Sequence, residues 1–545
     1  MKRRQIARGY LLAPMAICLF SCQGGGSTVD PALNPIGLEE GDGTYGIEGN
    51  VDNSLGSLTY EIFVRSFADS NGDGIGDFQG IADKADYLQS LGVGRVWLTP
   101  IHPSPSYHGY DVDDYYSVNP EFGTMEDFSS MLETLNEHGI EVIIDMVLNH
   151  SSSTNPWFEQ SYQDYRNNNQ DADSMGDWYM WADSNLGGAY YQHGSAYYLG
   201  EFSSSMPDFN WDSQGFRAEV ADILGFWLDK GVAGFRLDAV RYYHEENVAK
   251  NIADLNYIAS ICKGIDPDCF IVGENWGNGT DYYDYYASGI DSYFNFNLSI
   301  AYSSGTTIVS TAKGLTTGDQ FASTVALAER NVDSSGAGKH NSWFIANHDT
   351  DRASKSLTGG DAKAAANLIY LLPGTPFMYY GEEIELRGVR GNEGTDAMRR
   401  LPMVWGEGRE AEECDFPDKD NSYLASSVDQ VDVGAFDAME EPLSTINHYR
   451  RLAEVRNSYP FIATASFEAI ATKTRNFYAY RLQGDGEGED IVVVANLDEV
   501  AAEVSLPEEY ASWKIDNEVR ASNLKARYDG SSLGLGGHSV AILRK

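Results

Sequence analysis

From Leu58 onward the chain alternates short apolar, β-branched or aromatic runs with longer amphipathic stretches. That alternation predicts repeated strand–helix units and a parallel sheet covered by helices. Eight such runs can be read: Leu58 to Val64, Arg95 to Thr99, Val142 to Val147, Ala233 to Leu237, Phe270 to Gly273, Ser292 to Phe296, Trp343 to Ala346 and Phe377 to Tyr380. Eight units closing on themselves give a (β/α)8 TIM barrel of the α/β class, whose active site lies at the carboxyl ends of the strands.

The third unit is irregular. After Asn149-His150 about sixty residues rich in Tyr, Trp, Asn and Gly precede the next amphipathic helix, Phe216 to Lys230. A connection that long is usually functional or a small domain of its own, so an inserted domain is expected at about 150–212. Leu443 to Asn457 reads as the last barrel helix, and Asn476 to Leu482 and Asp490 to Asn496 alternate as antiparallel strands do. The barrel is therefore expected over 57–458 and a C-terminal β-sandwich over 459–545.

The amino terminus reads as an address. Met1-Lys2-Arg3-Arg4 followed by the apolar run Leu11 to Phe20 has the pattern of a secretory signal, too short to span a membrane as a mature helix. Leu19-Phe20-Ser21-Cys22 resembles a bacterial lipobox, which implies lipidation of Cys22 and a signal peptide over 1–22. By the same resemblance Gln23 after the cysteine implies outer-membrane sorting; ordinary signal cleavage, giving a periplasmic or secreted protein, is the alternative. Residues 23–56, rich in Gly, Asn, Glu and Asp, are expected to form a flexible tether.

Charge removes whole classes of partner. The 545 residues carry 81 Asp and Glu against 38 Lys and Arg, a formal charge of -43, so a nucleic-acid surface or a polybasic membrane surface is excluded. The only membrane contact expected is the lipid anchor. The 34 Tyr and 10 Trp suit a neutral sugar ligand, since flat rings pack on sugar faces and their polar tips bond hydroxyls. Of five cysteines, Cys18 and Cys22 lie in the leader, Cys262 and Cys269 are close enough to bridge a short loop or remain two thiols, and Cys414 stands alone.

Three strand ends bear carboxylates. In Gly234-Phe235-Arg236-Leu237-Asp238-Ala239-Val240-Arg241, Arg236 and Asp238 stand two apart on one face of the strand, and an Arg beside a carboxylate keeps it ionised, as a nucleophile requires. Ile271-Val272-Gly273-Glu274-Asn275-Trp276 delivers a carboxyl group from apolar surroundings, where burial raises its pKa towards that of a general acid. Phe344-Ile345-Ala346-Asn347-His348-Asp349 supplies the third. Two carboxyl groups about 5 Å apart, one nucleophile and one acid/base, are what retaining glycosidic cleavage needs.

With Asp145-Met146-Val147-Leu148-Asn149-His150 and Met206-Pro207-Asp208-Phe209-Asn210 ahead of them, these motifs resemble, in order, those of the alpha-amylase family of glycoside hydrolases, from about Leu55 to the C-terminal domain. The resemblance implies that Asp238 is the nucleophile, Glu274 the acid/base and Asp349 the group that holds hydroxyls of the distorted sugar. It further implies that His150 and His348 bond the same sugar and that Arg236 positions the nucleophile. His108-Gly109-Tyr110-Asp111 resembles the family segment with a stacking Tyr, here Tyr110, and a sugar-binding polar group, Asp111. Arg400, in Arg399-Arg400-Leu401-Pro402, resembles a sugar-contacting Arg of related glucosidases.

Finer resemblances bear on specificity and metal. The Met206–Asn210 motif resembles that of enzymes intermediate between oligo-1,6-glucosidases and neopullulanases, and Ala239 resembles α-1,4-acting members. Arg241 and Tyr242 depart from the Lys and His of many alpha-amylases. The implied activity is hydrolysis of α-1,4 bonds in starch, maltodextrins or maltooligosaccharides, with an exo-acting alpha-glucosidase or cyclomaltodextrinase, a transglycosylase, and a glycan-binding surface protein as rivals. Asp69-Ser70-Asn71-Gly72-Asp73-Gly74-Ile75-Gly76-Asp77 alternates oxygen-bearing side chains around glycines, but Gly80 stands where an EF-hand needs its closing Glu. By resemblance to the oligo-1,6-glucosidase branch the loop binds a structural Ca²⁺ through Asp69, Asn71, Asp73, the Ile75 carbonyl and Asp77; a polar turn without metal is the alternative.

Overall fold

The computed structural model describes residues 29–41 and 57–545, apart from 170, 246, 278–279, 303, 337, 391–394, 420 and 422–429. Eight strands, β1 (Leu58–Ile62), β2 (Val93–Leu98), β3 (Glu141–Met146), β4 (Gly234–Leu237), β5 (Phe270–Gly273), β6 (Ser292–Phe294), β7 (His340–Phe344) and β8 (Thr375–Tyr379), form a closed barrel. Every neighbouring pair is parallel, and β1 closes the ring by pairing with both β2 and β8.

The β7 run expected at Trp343 to Ala346 begins earlier, at His340. Its first residues, His340, Asn341 and Ser342, are polar and so escape a hydrophobicity pattern, yet Asn341 and Ser342 are buried and their side chains pair. Asn341 Nδ2 donates to Glu329 Oε1 at 2.7 Å and Ser342 Oγ to Ser292 Oγ at 2.8 Å. The first run likewise ends short, since Val64–Ser66 turns into a 3-10 helix.

Alternate residues of the strands fill the interior in layers. At one end Arg95 pairs with Glu141 at 2.9 Å and lies over the Phe270 ring at 4.1 Å. An aromatic middle follows, of Trp97, Ile143, Phe270, Val272, Phe294, Phe296, Phe344 and Phe377. At the other end the Arg236 guanidinium sits 5.2 Å from the Trp97 ring, and above it are the carboxylates of the strand ends. The barrel is thus a packed core with a charged mouth, as TIM barrels are.

Between β3 and β4 the chain forms a helix, Pro156–Asn167, and a three-stranded antiparallel sheet of Trp181–Ala182, Ala196–Leu199 and Tyr190–His193. The helix that returns to the barrel, Gln214–Asp229, is capped by Ser213, and the last barrel helix is Thr445–Ser458. Two antiparallel sheets, of five and three strands, then share an apolar core that includes Phe477, Val492, Val504 and Leu533.

The expected leader, with Cys18 and Cys22, lies outside the described residues, as do 23–28 and 42–56. The remainder of the expected tether, residues 29–41, is not free. Leu38 is buried with Ala501 and Leu524, and Gly41 and Lys525 exchange backbone bonds with Asn523 and Glu39. Val29, Ile36 and Leu38 are the apolar positions that composition alone averages away. Cys262 and Cys269 are buried thiols in contact with each other, not a disulfide, and Cys414 is a buried free thiol.

Candidate active site

Arg236 is wholly buried at the mouth of the barrel. Its Nη1 donates to Asp145 at 2.9 and 3.1 Å and to Asp238 Oδ1 at 2.6 Å, and its Nη2 lies 3.2 Å from Glu274 Oε2. The parallel register explains the convergence: Asp145 stands opposite Arg236, and Arg236 opposite Val272, two residues before Glu274. Carboxylates from three adjacent strands therefore share one guanidinium.

Burial pushes Glu274 up to about 7 and Asp145 to about 6, against the lowering effect of Arg236. Ala239 adds a constraint on Glu274. With φ at 49°, a region residues with a Cβ seldom occupy, it turns its amide to donate to Glu274 Oε2 at 3.0 Å.

Asp349 is held from the other side. Arg400 Nη2 donates to its Oδ1 at 2.9 Å, and His348 Nε2 lies 3.0 Å from Oδ2. Burial alone would raise its pKa, but His348, Arg400 and Arg236 outweigh that and hold it well below the usual carboxylate range. Tyr110 stacks against His348, rings 5.4 Å apart and 12° from parallel, and its hydroxyl donates to Asp145 Oδ2 at 3.0 Å. His150 Nε2 lies 3.1 Å from the Tyr110 carbonyl.

A cavity of about 710 Å³ opens over these groups. Asp238, Glu274, Asp349, Tyr110, His150 and Arg400 all line it. Arg236 and His348 lie beneath its floor, each fully buried, and so act through the groups they bond. Asp111 is also out of the cavity: its carboxylate accepts from Ser104 Oγ at 2.7 Å and from Ser106 Oγ, bracing the loop that presents Tyr110. A second cavity, of about 370 Å³, shares Trp276 and Asp349 with the first.

Four participants were not singled out from the sequence. Asp145 had a signal, its place in an ordered motif opposite Arg236. Glu61 had a weaker one, a charged residue inside the apolar run of β1. Trp276, 39% exposed and stacked on Phe296 at 4.5 Å, and Phe202 of the inserted domain line the main cavity, but which aromatics reach a cleft depends on loop paths that periodicity does not encode.

The expected metal loop folds on itself. Asp69 accepts from the amides of Asn71, Gly72 and Gly74 at 3.0, 2.7 and 2.7 Å. Asp77 accepts from Ser70 and caps the helix Phe78–Ala82 through the Gly80 amide, while Asp73 accepts from the Ile75 amide at 2.9 Å. Among the described residues no three acidic, His or Cys side chains converge as a metal site. The donors are nevertheless all oxygen, the set a hard cation such as Ca²⁺ takes.

The model of the alpha-amylase catalytic domain matches residues 61–465. The chain belongs to the alpha-amylase family. Alpha-amylase 3 of Dictyoglomus thermophilum is 36% identical over 506 residues, covering 90% of this chain and 93% of its own. A glucan 1,6-alpha-glucosidase of Streptococcus pneumoniae is 29% identical, covering 87% and 97%. The solved structure of Amy13B from Eubacterium rectale superposes with a TM-score of 0.83 at 31% identity, covering 91% and 97%. Like its family, this chain is a glycosidase.

Proposed function

We propose that the protein hydrolyses α-1,4-glucosidic bonds in starch-like glucans with retention of configuration. The observation that carries the reading is Arg236 bound to both Asp238 and Glu274 at 2.6 and 3.2 Å, with Glu274 pushed up to about 7 by burial. Asp238 attacks the anomeric carbon as Glu274 delivers its proton to the departing oxygen. Water, deprotonated by Glu274, then releases the sugar from Asp238. Asp349, kept ionised by His348 and Arg400, holds ring hydroxyls throughout.

Relatives include both an alpha-amylase and a 1,6-glucosidase, so bond preference rests on this site. Ala239 beside the nucleophile favours the α-1,4 bond, and the second cavity, which shares Trp276 and Asp349 with the first, leaves room for a chain longer than one sugar. The test is a time course of products from amylose, pullulan and maltotriose beside an Asp238→Asn control. Mixed maltooligosaccharides from amylose, absent in the control, support the reading; glucose released alone from chain ends assigns an exo-glucosidase.

Two further readings belong to the same proposal. The oxygens of Asp69, Asn71, Asp73, Ile75 and Asp77 hold a structural Ca²⁺ once they turn from their own amides to the ion. A fall in melting temperature on chelation, reversed by Ca²⁺ and lost in Asp73→Ala, supports it. Export with lipid attachment at Cys22 is the second, and the docking of residues 29–41 would then keep the C-terminal domain close to the anchor. Metabolic labelling with a fatty acid, abolished by Cys22→Ala, is the test.

A further inference from the structure

Glu61 lies in β1, 1% exposed, in a strand whose neighbours are apolar. A buried carboxylate is costly unless something pairs with it. Its Oε1 lies 2.5 Å from His348 Nδ1 and 3.3 Å from the His348 amide nitrogen. His348 itself is wholly buried and reaches the reaction only through its other nitrogen, which faces Tyr110 Oη at 2.6 Å and Asp349 Oδ2 at 3.0 Å.

The neighbours of this ring constrain its donor and acceptor roles. Glu61 and Asp349 as carboxylates only accept. The Tyr110 hydroxyl spends its proton on Asp145 Oδ2 at 3.0 Å, so towards His348 its oxygen accepts. Both ring nitrogens then donate, which describes an imidazolium and not either neutral tautomer. We propose that Glu61 is a positioning residue for glycosidic cleavage: it pins His348 as a two-ended cation that orients Tyr110 and the sugar-holding carboxylate of Asp349.

The charges around the ring agree. Burial lowers the His348 pKa, but Asp349 and Glu61 outweigh it and raise it to about 10; Asp145 also faces it, and the cations nearby are Arg400, whose Nε donates to the His348 carbonyl at 3.2 Å, and Arg236, which packs on the same Trp97 ring. The role goes beyond the proposed reaction but rests on it for the function of Asp349.

The first test needs no substrate. In protein labelled with ¹⁵N-histidine, both nitrogens of His348, assigned by their loss in His348→Asn, should carry protons at pH 8. In Glu61→Gln, which keeps an acceptor but loses the charge, the ring should titrate at least about one pH unit lower. The second test is kinetic: Glu61→Gln should lower kcat about 10- to 100-fold with KM changed less than about threefold, because the lost interaction strengthens only in the transition state. A neutral His348 at pH 8 in the wild-type protein overturns the inference even where the variant fails to fold. So does Glu61→Gln with wild-type kcat and an unmoved histidine titration. A charged His348 in a protein that turns over no glucan would instead sink the proposed function and leave the positioning intact.

Discussion

Arg236 donates to Asp238 at 2.6 Å from a position with no access to solvent. The same guanidinium also serves Asp145 and Glu274, so it is the counterion of the whole mouth. Arg236→Ala leaves three carboxyl groups without their shared counterion and should destabilise the protein by about 3–5 kcal/mol. Arg236→Lys restores one charge without the planar fork, and should recover much of the melting temperature while kcat/KM stays down by at least about 100-fold. Equal recovery of both would show that geometry is unimportant here.

Activity should have an alkaline limb near neutrality. In the proposed reaction Glu274 must be protonated to serve the leaving oxygen, and its pKa is raised from 4.5 to about 7, so kcat/KM should fall as pH rises through about 7. In Glu274→Gln that limb should vanish along with most of the activity on glucans with poor leaving groups. A profile flat to pH 9 would contradict the assignment of the acid.

Glu382 gives a stability test away from the chemistry. It is buried after β8, accepts from the Tyr449 hydroxyl at 3.2 Å, and is raised to about 8 by burial. A carboxyl with a raised pKa favours the fold fully below its unfolded value near 4.5, and that contribution is lost as pH rises through about 8. Glu382→Gln should therefore melt like wild type near pH 5 and above it at pH 9, by up to about 4 kcal/mol. No divergence between the two pH values would show that the carboxyl has access to water.

Trp276 lines both cavities and is backed by Phe296 at 4.5 Å. Trp276→Ala should raise KM for maltooligosaccharides about 2- to 12-fold, the worth of one stacked ring at roughly 0.5–1.5 kcal/mol, with a smaller effect on a short aryl glucoside. A uniform loss across both substrates would place the ring outside the sugar path.

Much of the barrel and of its mouth is legible in the sequence, for a physical reason. Strand ends in a barrel converge whatever the loops do, so Asp238, Glu274 and Asp349 could be placed from strand runs and motif order alone. Residues that work through a neighbour were harder. Asp111 and His348 sit in motifs expected to bind sugar, yet one braces a loop and the other lies under the floor, a difference that depends on side-chain direction. The start of β7 was hidden because its polar residues are buried in pairs. The docked segment 29–41 was hidden because three apolar residues suffice to seat it against a preformed domain.

The central claim is double displacement at Asp238 with retention, and it is tested most directly by the configuration of the first product. Proton NMR of amylose hydrolysis, recorded before mutarotation, should show the α-anomer. With Glu274→Gln and an activated fluoro-glucoside, mass spectrometry should find a glycosyl adduct on the peptide that carries Asp238. Initial release of the β-anomer with no adduct would mean direct attack by water, and would overturn the role given to Asp238.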